Sequence, residues 1–238
     1  MLPLDPHVWH KIELVPAIGV GATVGAYVIA LRLQRWSGGS AIFNPTLIAI
    51  LLLAFAVKVS GLDYADYARS AGVVTFALAP AVVLLAVPLF RQRRLIRDSA
   101  RIIVGSLALG LPTGVLSAIG IAWLLHADRV TILSLAPKST TAGIAIGISE
   151  KIGGAPSLTA VLVIMTGITG AVIGPIATRQ LGVSDPRAVG LAMGIASHGI
   201  GTARALQISE TAGAFAGLGM SLNGIFTAIL LPVAANLF

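Results

Sequence analysis

Ile102-Ile-Val-Gly-Ser-Leu-Ala-Leu-Gly-Leu-Pro-Thr-Gly-Val-Leu-Ser-Ala-Ile-Gly-Ile-Ala-Trp-Leu-Leu125 runs between Arg101 and His126 without an ionisable side chain. A helix of ~20 apolar residues is what a bilayer core requires. Runs of similar character occupy 14–31, 41–57, 70–90, 130–148, 155–178, 188–203 and 212–238, giving eight in all. They are too continuous for barrel strands, which alternate apolar and polar residues. In lipid a spanning backbone must satisfy itself, so helices remain. The expectation is an all-α, polytopic transmembrane helix bundle of about eight segments. The breaks between them are short, so residues 1–238 read as a single integral membrane domain.

Composition agrees. Hydrophobic residues make up 56% of the 238, charged residues 11%, and mean hydropathy is +0.94. Soluble domains carry about a quarter charged residues, and disorder needs low hydrophobicity with high charge. The net charge of +7 is not spread along one face as nucleic acid would demand. Arg91, Arg93, Arg94, Arg97 and Arg101 crowd one short stretch, the pattern of a cytoplasmic loop facing anionic lipid headgroups. If every segment crosses once, Arg32, Arg35, Lys151 and Arg204 share that side, both termini lie outside, and Lys138 falls within a span. The start, Met1 to Lys11, has no basic region or cleavage site of a removable signal. There is no cysteine, hence no disulfide and no thiolate site.

Prolines fall within or at the edges of the apolar runs (Pro16, Pro45, Pro80, Pro88, Pro112, Pro137, Pro175), and the 27 glycines recur at GxxxG spacing. Such pairs are Gly21/Gly25, Gly110/Gly114, Gly143/Gly147, Gly170/Gly174, Gly190/Gly194 and Gly213/Gly217. Small residues at this spacing let helices approach closely in lipid. Proline frees a carbonyl that must find another partner, so the spans are expected to be broken. A faint repeat pairs Asn44–Leu51 with Ala155–Leu162, and a second, incompatible one pairs Leu78–Pro80 with Leu135–Pro137. Paired interrupted segments are a sequence pointer to a transport site.

Polar residues inside spans are costly and therefore informative. In Leu135-Ala-Pro-Lys-Ser-Thr-Thr141, Pro137 should interrupt a helix and leave Lys138, Ser139, Thr140 and Thr141 at the start of the next. A cation, three hydroxyls and unpaired N–H groups make a small anion site; the alternative is an ordinary helix start with Lys138 reaching to the surface. In Ala196-Ser-His-Gly-Ile-Gly-Thr-Ala-Arg204, a helix puts His198 and Thr202 on one face, and Ser197 with Arg204 on another, while Gly199 and Gly201 allow a kink or the close approach of another backbone. His198 either carries a coupling proton or is bonded to a neighbouring carbonyl. Arg204 either binds substrate or marks the end of its span. Asn44, Ser157 and Thr159 either line a cavity or cap and cross-link helices. Glu150 and Glu210 are further candidates for ion or proton coupling.

Enzymatic readings fare poorly. His7, His10, His126 and His198 are scattered, with no third ligand beside the first two, so no metal site is expected. No nucleophile elbow and no P-loop is present. The expectation is a chain that is not an enzyme and needs no cofactor.

Four stretches carry a likeness: FNPTLIAILLL (43–53), LAPAVVLLAVPLFRQ (78–92), the run 134–175 beginning SLAPKSTTAGIAIG, and GLAMGIASHGIGTARALQISETAGAFAGLGMSLNGI (190–225). Through them the sequence resembles the LrgB/CidB family of bacterial membrane proteins, whose plant relatives form part of the plastid glycolate/glycerate translocator. The resemblance implies an inner-membrane protein of one of two kinds. One is a holin- or antiholin-like modulator of murein hydrolases and autolysis, acting with a small LrgA/CidA-type membrane partner. The other is a carrier of small monocarboxylates such as glycolate, glycerate or pyruvate. The chain departs from the family at Ala79, Val82 and Ala142-Gly143, inside the expected site, which leaves the substrate open. Reading residues and resemblance together, the leading expectation is a proton- or cation-coupled carboxylate carrier, with the lysis modulator as its alternative. The GxxxG pairs make a homodimer a further expectation.

Overall fold

In a computed structural model, residues 16–38 and 43–235 are described; the expectations for His7 and His10 lie outside them. Every regular element among the described residues is helical. Two compact units divide the chain, residues 1–84 and 85–238.

In the first unit, α1 (Pro16–Trp36) packs on α2 (Pro45–Ser60), with Ala26 and Ala30 against Ala49, and the short α3 (Tyr64–Ser70) leads to α4 (Gly72–Leu84). Asn44 caps α2, its Oδ1 accepting from the amides of Thr46 and Leu47 at 2.9 and 3.2 Å. Pro45, at the first helical position, loses no bond there. Gly61 ends α2 in the left-handed region (φ 68°), where glycine carries no Cβ penalty. Gly19 lies so close to the Ser70–Ala71 backbone that a Cβ would fall 2.5 Å from Ser70 C.

The second unit begins with two single-turn helices, α5 (Ala86–Arg91) and α6 (Arg93–Asp98). It continues through α7 (Ala100–Leu124), α8 (Arg129–Leu135), α9 (Ala142–Ile152), α10 (Pro156–Gln180), α11 (Pro186–Ile208) and α12 (Glu210–Ala235). Of the described helices, α1, α7, α10 and α12 are long and apolar enough to cross a bilayer.

The run 188–203 does not behave as one of eight crossings. α11 is interrupted at Ser197 (φ −135°, ψ 16°) and His198 (φ 41°, ψ −133°), and the chain reverses there. Before the break, Gly190 lies on Ala212 and Gly194 on Ala216, so this arm runs parallel to α12. After it, Thr202 reaches Met220 and Leu206 reaches Gly213, so the second arm runs antiparallel. Gly201 is stacked on the carbonyl of Met193, where a Cβ would stand 2.6 Å from the oxygen; eight residues of straight helix would separate them by about 12 Å. α11 is a hairpin with its two ends together, each arm about 15 Å long, half of a ~30 Å hydrocarbon core.

The run 130–148 is also a hairpin. α8 ends at Leu135, residues 136–141 turn, and α9 returns. Ala136 packs with Ile148, and Gly154, just past α9, sits against Leu133 and Ser134. A buried network closes its base: Thr159 Oγ1 meets Ser149 Oγ at 2.7 Å and donates to the carbonyl of Ser134 at 3.0 Å, and Ser134 Oγ accepts from the amide of Ala155 at 2.7 Å.

Two re-entrant hairpins overturn the count of sides. α7 ends where α8 begins, and α10 starts where α9 ends; the α11 hairpin enters at the opposite end. There Arg187 Nη1 donates to Ser99 Oγ at 3.3 Å, and Arg91 pairs with Glu210 at 3.5 Å. In this unit Arg91, Arg93, Arg94, Arg97, Arg101, Arg179, Arg187 and Arg204 collect at one end, while Arg129 and Lys151 lie at the other. Lys151, expected beside the Arg91–Arg101 loop, is on the far side from it. Each hairpin returns the chain to the end at which it entered, where the sequence reading assumed one full crossing.

Candidate functional site

The two hairpin tips meet α12 at one residue. Pro137 has no N–H to donate and lies buried in the turn after α8, so the helix stops there. The turn is tied by Lys138 N to Leu135 O at 3.1 Å and Thr140 N to Pro137 O at 3.0 Å; Thr140 Oγ1 adds a bond to the same carbonyl at 3.0 Å. Thr141 is the N-cap of α9 by backbone geometry, without a side-chain cap bond. α9 thus starts four residues beyond Lys138, and the lysine, Ser139 and Thr140 lie in the turn rather than in the first helical turn. Half-buried Lys138 donates from Nζ to Ser139 Oγ at 3.3 Å.

Asn223, midway along α12 and 2% exposed, donates from Nδ2 to Ser139 O at 3.0 Å and to Ile195 O at 3.2 Å. One carboxamide therefore serves carbonyls at both interruptions. Non-helical backbone at membrane depth is tolerated where protein groups satisfy it or a cavity solvates it. The sequence reading passed over Asn223; an uncharged amide in an apolar run was the available signal.

A cavity of about 540 Å³ opens along α7 between these elements. Lys138, Ser139, Thr140 and Asn223 line one end, Ser99, Asp185 and Arg187 the other, and Ile103, Leu111, Leu191 and Phe215 much of the apolar wall between. Gly114 of α7 faces Ser139, whose Oγ would stand in ordinary contact, 3.7 Å, from an added Cβ. Asp185 caps α11, its Oδ1 accepting from Arg187 N at 2.9 Å. The Arg187 guanidinium also pairs with this carboxylate, Nε lying 3.0 Å from both oxygens. Hydrogen bonds from Arg187 hold the Asp185 carboxyl below its ordinary range, and the pairing raises Arg187. Among the charged residues of this lining Lys138 is the cation without a carboxylate beside it.

The other expected residues stand apart from the cavity. His198 is buried against α10, where its Nε2 lies 2.9 Å from the carbonyl of Val163. A carbonyl only accepts, so Nε2 carries the proton. Thr202 Oγ1 donates to His198 O at 2.8 Å. Arg204 and Ser197 are split by the reversal. Arg204 donates from Nη1 to Gln207 Oε1 at 2.8 Å, and its Nε is buried with no partner. Asn44 is a helix cap in the first unit, Thr159 and Ser149 belong to the hairpin base, and Glu150 and Glu210 are exposed. Among the described residues no three His, Asp or Glu side chains gather as metal ligands.

α10 seats the α11 tip with glycine. A Cβ on Gly167 would lie 2.7 Å from the His198 ring, and one on Gly170 2.6 Å from Ser197 Cβ. Gly190, Gly194, Gly170 and Gly174 are thus true contact pairs, whereas Gly21/Gly25 and Gly143/Gly147 meet nothing within 4 Å.

Comparison with known proteins supplies the lineage. The family model described as LrgB-like matches residues 23–237. The chain is 33% identical over 216 residues to the holin-like protein CidB of Staphylococcus aureus, covering 91% of this chain and 94% of that one. It is 31% identical to the holin-like protein CidB of Staphylococcus epidermidis over the same shares. It is 28% identical to the antiholin-like protein LrgB of Bacillus subtilis, over 93% and 96% of the two chains. No solved structure gives a significant match. With a family model spanning nearly its whole length and long apolar helices beneath, the chain is a membrane protein that belongs to the LrgB-like family.

Proposed function

We propose that this chain is a holin/antiholin-like membrane component that modulates murein hydrolase activity and autolysis. The observation that carries this reading is its end-to-end similarity to proteins named holin-like CidB and antiholin-like LrgB. An LrgA/CidA-type membrane protein and a second copy of the chain are its partners, and it acts without a cofactor or an enzymatic step. Its arginine-rich end faces the cytoplasm, following the positive-inside rule, and the α12 C-terminal end faces out across the bacterial inner membrane. Cells lacking the chain should autolyse at a changed rate, restored by reintroducing it; an unchanged rate overturns the modulator. Thiols placed at Arg94 and Lys151 should label from opposite faces.

A second reading is favoured by the cavity. A half-buried lysine at a re-entrant tip, beside hydroxyls and at the end of an apolar passage, suits the carboxylate of a glycolate-, glycerate- or pyruvate-sized anion. Discontinuous helices at mid-membrane depth are where secondary carriers bind substrate. Proton or cation coupling belongs to this reading, and loss of a carboxylate gradient would itself alter the envelope, so the two readings are compatible. Proteoliposomes holding the purified chain separate them. A carrier takes up labelled pyruvate or glycolate saturably and retains trapped dye. A pore releases the dye without saturation.

A further inference from the structure

The mouth of the cavity carries chemistry that the tip does not explain. Ser99 lies just before α7 and Gly114, beside Ser139, lies fifteen residues along it, a rise of about 22 Å. Lys138 at the tip and Arg187 at the mouth are therefore far apart, and a small carboxylate cannot touch both at once. At the mouth, the side chains of Arg187 and Asp185 are 39% and 41% exposed. The guanidinium offers five N–H groups in a plane. Asp185 takes the Nε and Nη2 edge, and Ser99 takes one N–H of Nη1, which leaves two for another acceptor. Asp185 thus lays the arginine against the wall and partly cancels its charge.

We propose that Asp185 and Arg187 form an anion-selecting mouth. Arg187 is the cation that lines the entrance on the way to Lys138, and Asp185 sets how strongly a small organic anion is drawn in. This rests on the carrier reading for the nature of the anion, and on the cavity alone for the charge preference. The two partners make opposite predictions, which separates the proposal from a merely structural ion pair. Removing Arg187 leaves a bare carboxylate at the entrance. Removing the charge of Asp185 frees the arginine, and asparagine there still caps the helix.

The chain contains no cysteine, so one introduced thiol reports cleanly. Ser106 lines the cavity between the two ends. In the full-length Ser106→Cys protein in proteoliposomes, an anionic methanethiosulfonate should react faster than a cationic one of similar size, by about tenfold at low salt. Arg187→Gln should erase or invert that ratio, Arg187→Lys should keep most of it, and Asp185→Asn should raise it severalfold. Absence of labelling, equal rates for the two reagents, or a shift in the same direction from both neutralising substitutions overturns the mouth. Labelling requires no turnover. A preserved ratio with no saturable uptake removes the carrier reading and leaves the mouth standing, and uptake without the ratio does the reverse.

Discussion

The two re-entrant hairpins reverse the chain by different means. The α8–α9 tip is built on a proline, and it carries a lysine and hydroxyls into a cavity. The α11 tip contains no proline. It bends at a histidine with φ 41°, held by a carbonyl of α10 and seated over Gly167 and Gly170. The glycine faces differ in the same sense. Gly190, Gly194 and Gly201 lie against backbone, whereas Gly143 and Gly147 of α9 meet nothing within 4 Å. One hairpin is fitted to its neighbours and the other presents chemistry. A break in a membrane helix needs partners for its freed backbone groups, and proline is only one way of creating that need.

The largest expected effect lies at the chemical tip. Lys138→Ala should reduce saturable pyruvate or glycolate uptake to background in proteoliposomes, with little change in thermal unfolding in detergent. His198→Ala should do the opposite, lowering stability by about 1–3 kcal/mol through its lost buried hydrogen bond and packing, with uptake per folded molecule retained. Uptake abolished by His198→Ala in a protein of normal stability would give both tips chemical roles and end the contrast.

The packing difference can be tested without any substrate. Gly190→Ala places a Cβ 2.8 Å from the Ala212 carbonyl carbon, and Gly170→Ala places one against Ser197. Each should cost about 1–3 kcal/mol by overpacking. Gly147→Ala, with open space around it, should be neutral or stabilising by up to about 1 kcal/mol, the helix propensity of alanine over glycine. Equal losses in all three would show α9 to be as tightly held as α11.

Composition made the helical membrane class legible, and the run 134–141 announced its own break through Pro137 and Lys138. The run 70–90 is also interrupted, at Leu85, three residues before Pro88, but other prolines misled. Pro80, Pro112 and Pro175 lie inside helices, and Pro45 opens one. Gly199 and Gly201 marked a place where α11 could kink, but a full reversal at Ser197 and His198 was not legible, because Ala-Ser-His-Gly reads as helix locally. Its positive-φ histidine is stabilised by Val163, thirty-five residues earlier. Hydropathy measures how apolar a run is and carries no direction, so a hairpin and a crossing look alike, and the side assigned to Lys151 went with them. His198 and Arg204, candidates for proton coupling and substrate binding, stand outside the cavity that Lys138 lines, because helical periodicity was extended through a residue where the helix turns back.

Asn223 is where the contrast between the hairpins can be sharpened with one side chain, because its Nδ2 bonds a carbonyl at each tip. Asn223→Ala leaves both acceptors to find other donors. At Ser139 the polar end of the cavity, beside Lys138 and the hydroxyls, offers water as a replacement; Ile195 also lines the cavity, but on its apolar wall with Leu191 and Phe215, where replacement is harder. An unpaired buried acceptor costs about 1–3 kcal/mol, so the loss should fall on the α11 side. Hydrogen exchange should therefore accelerate in residues 195–202 of the variant more than in residues 137–143. Faster exchange confined to 137–143 would mean that the amide chiefly supports the lysine-bearing turn, with the α11 tip sustained by Val163 and the α10 glycines alone.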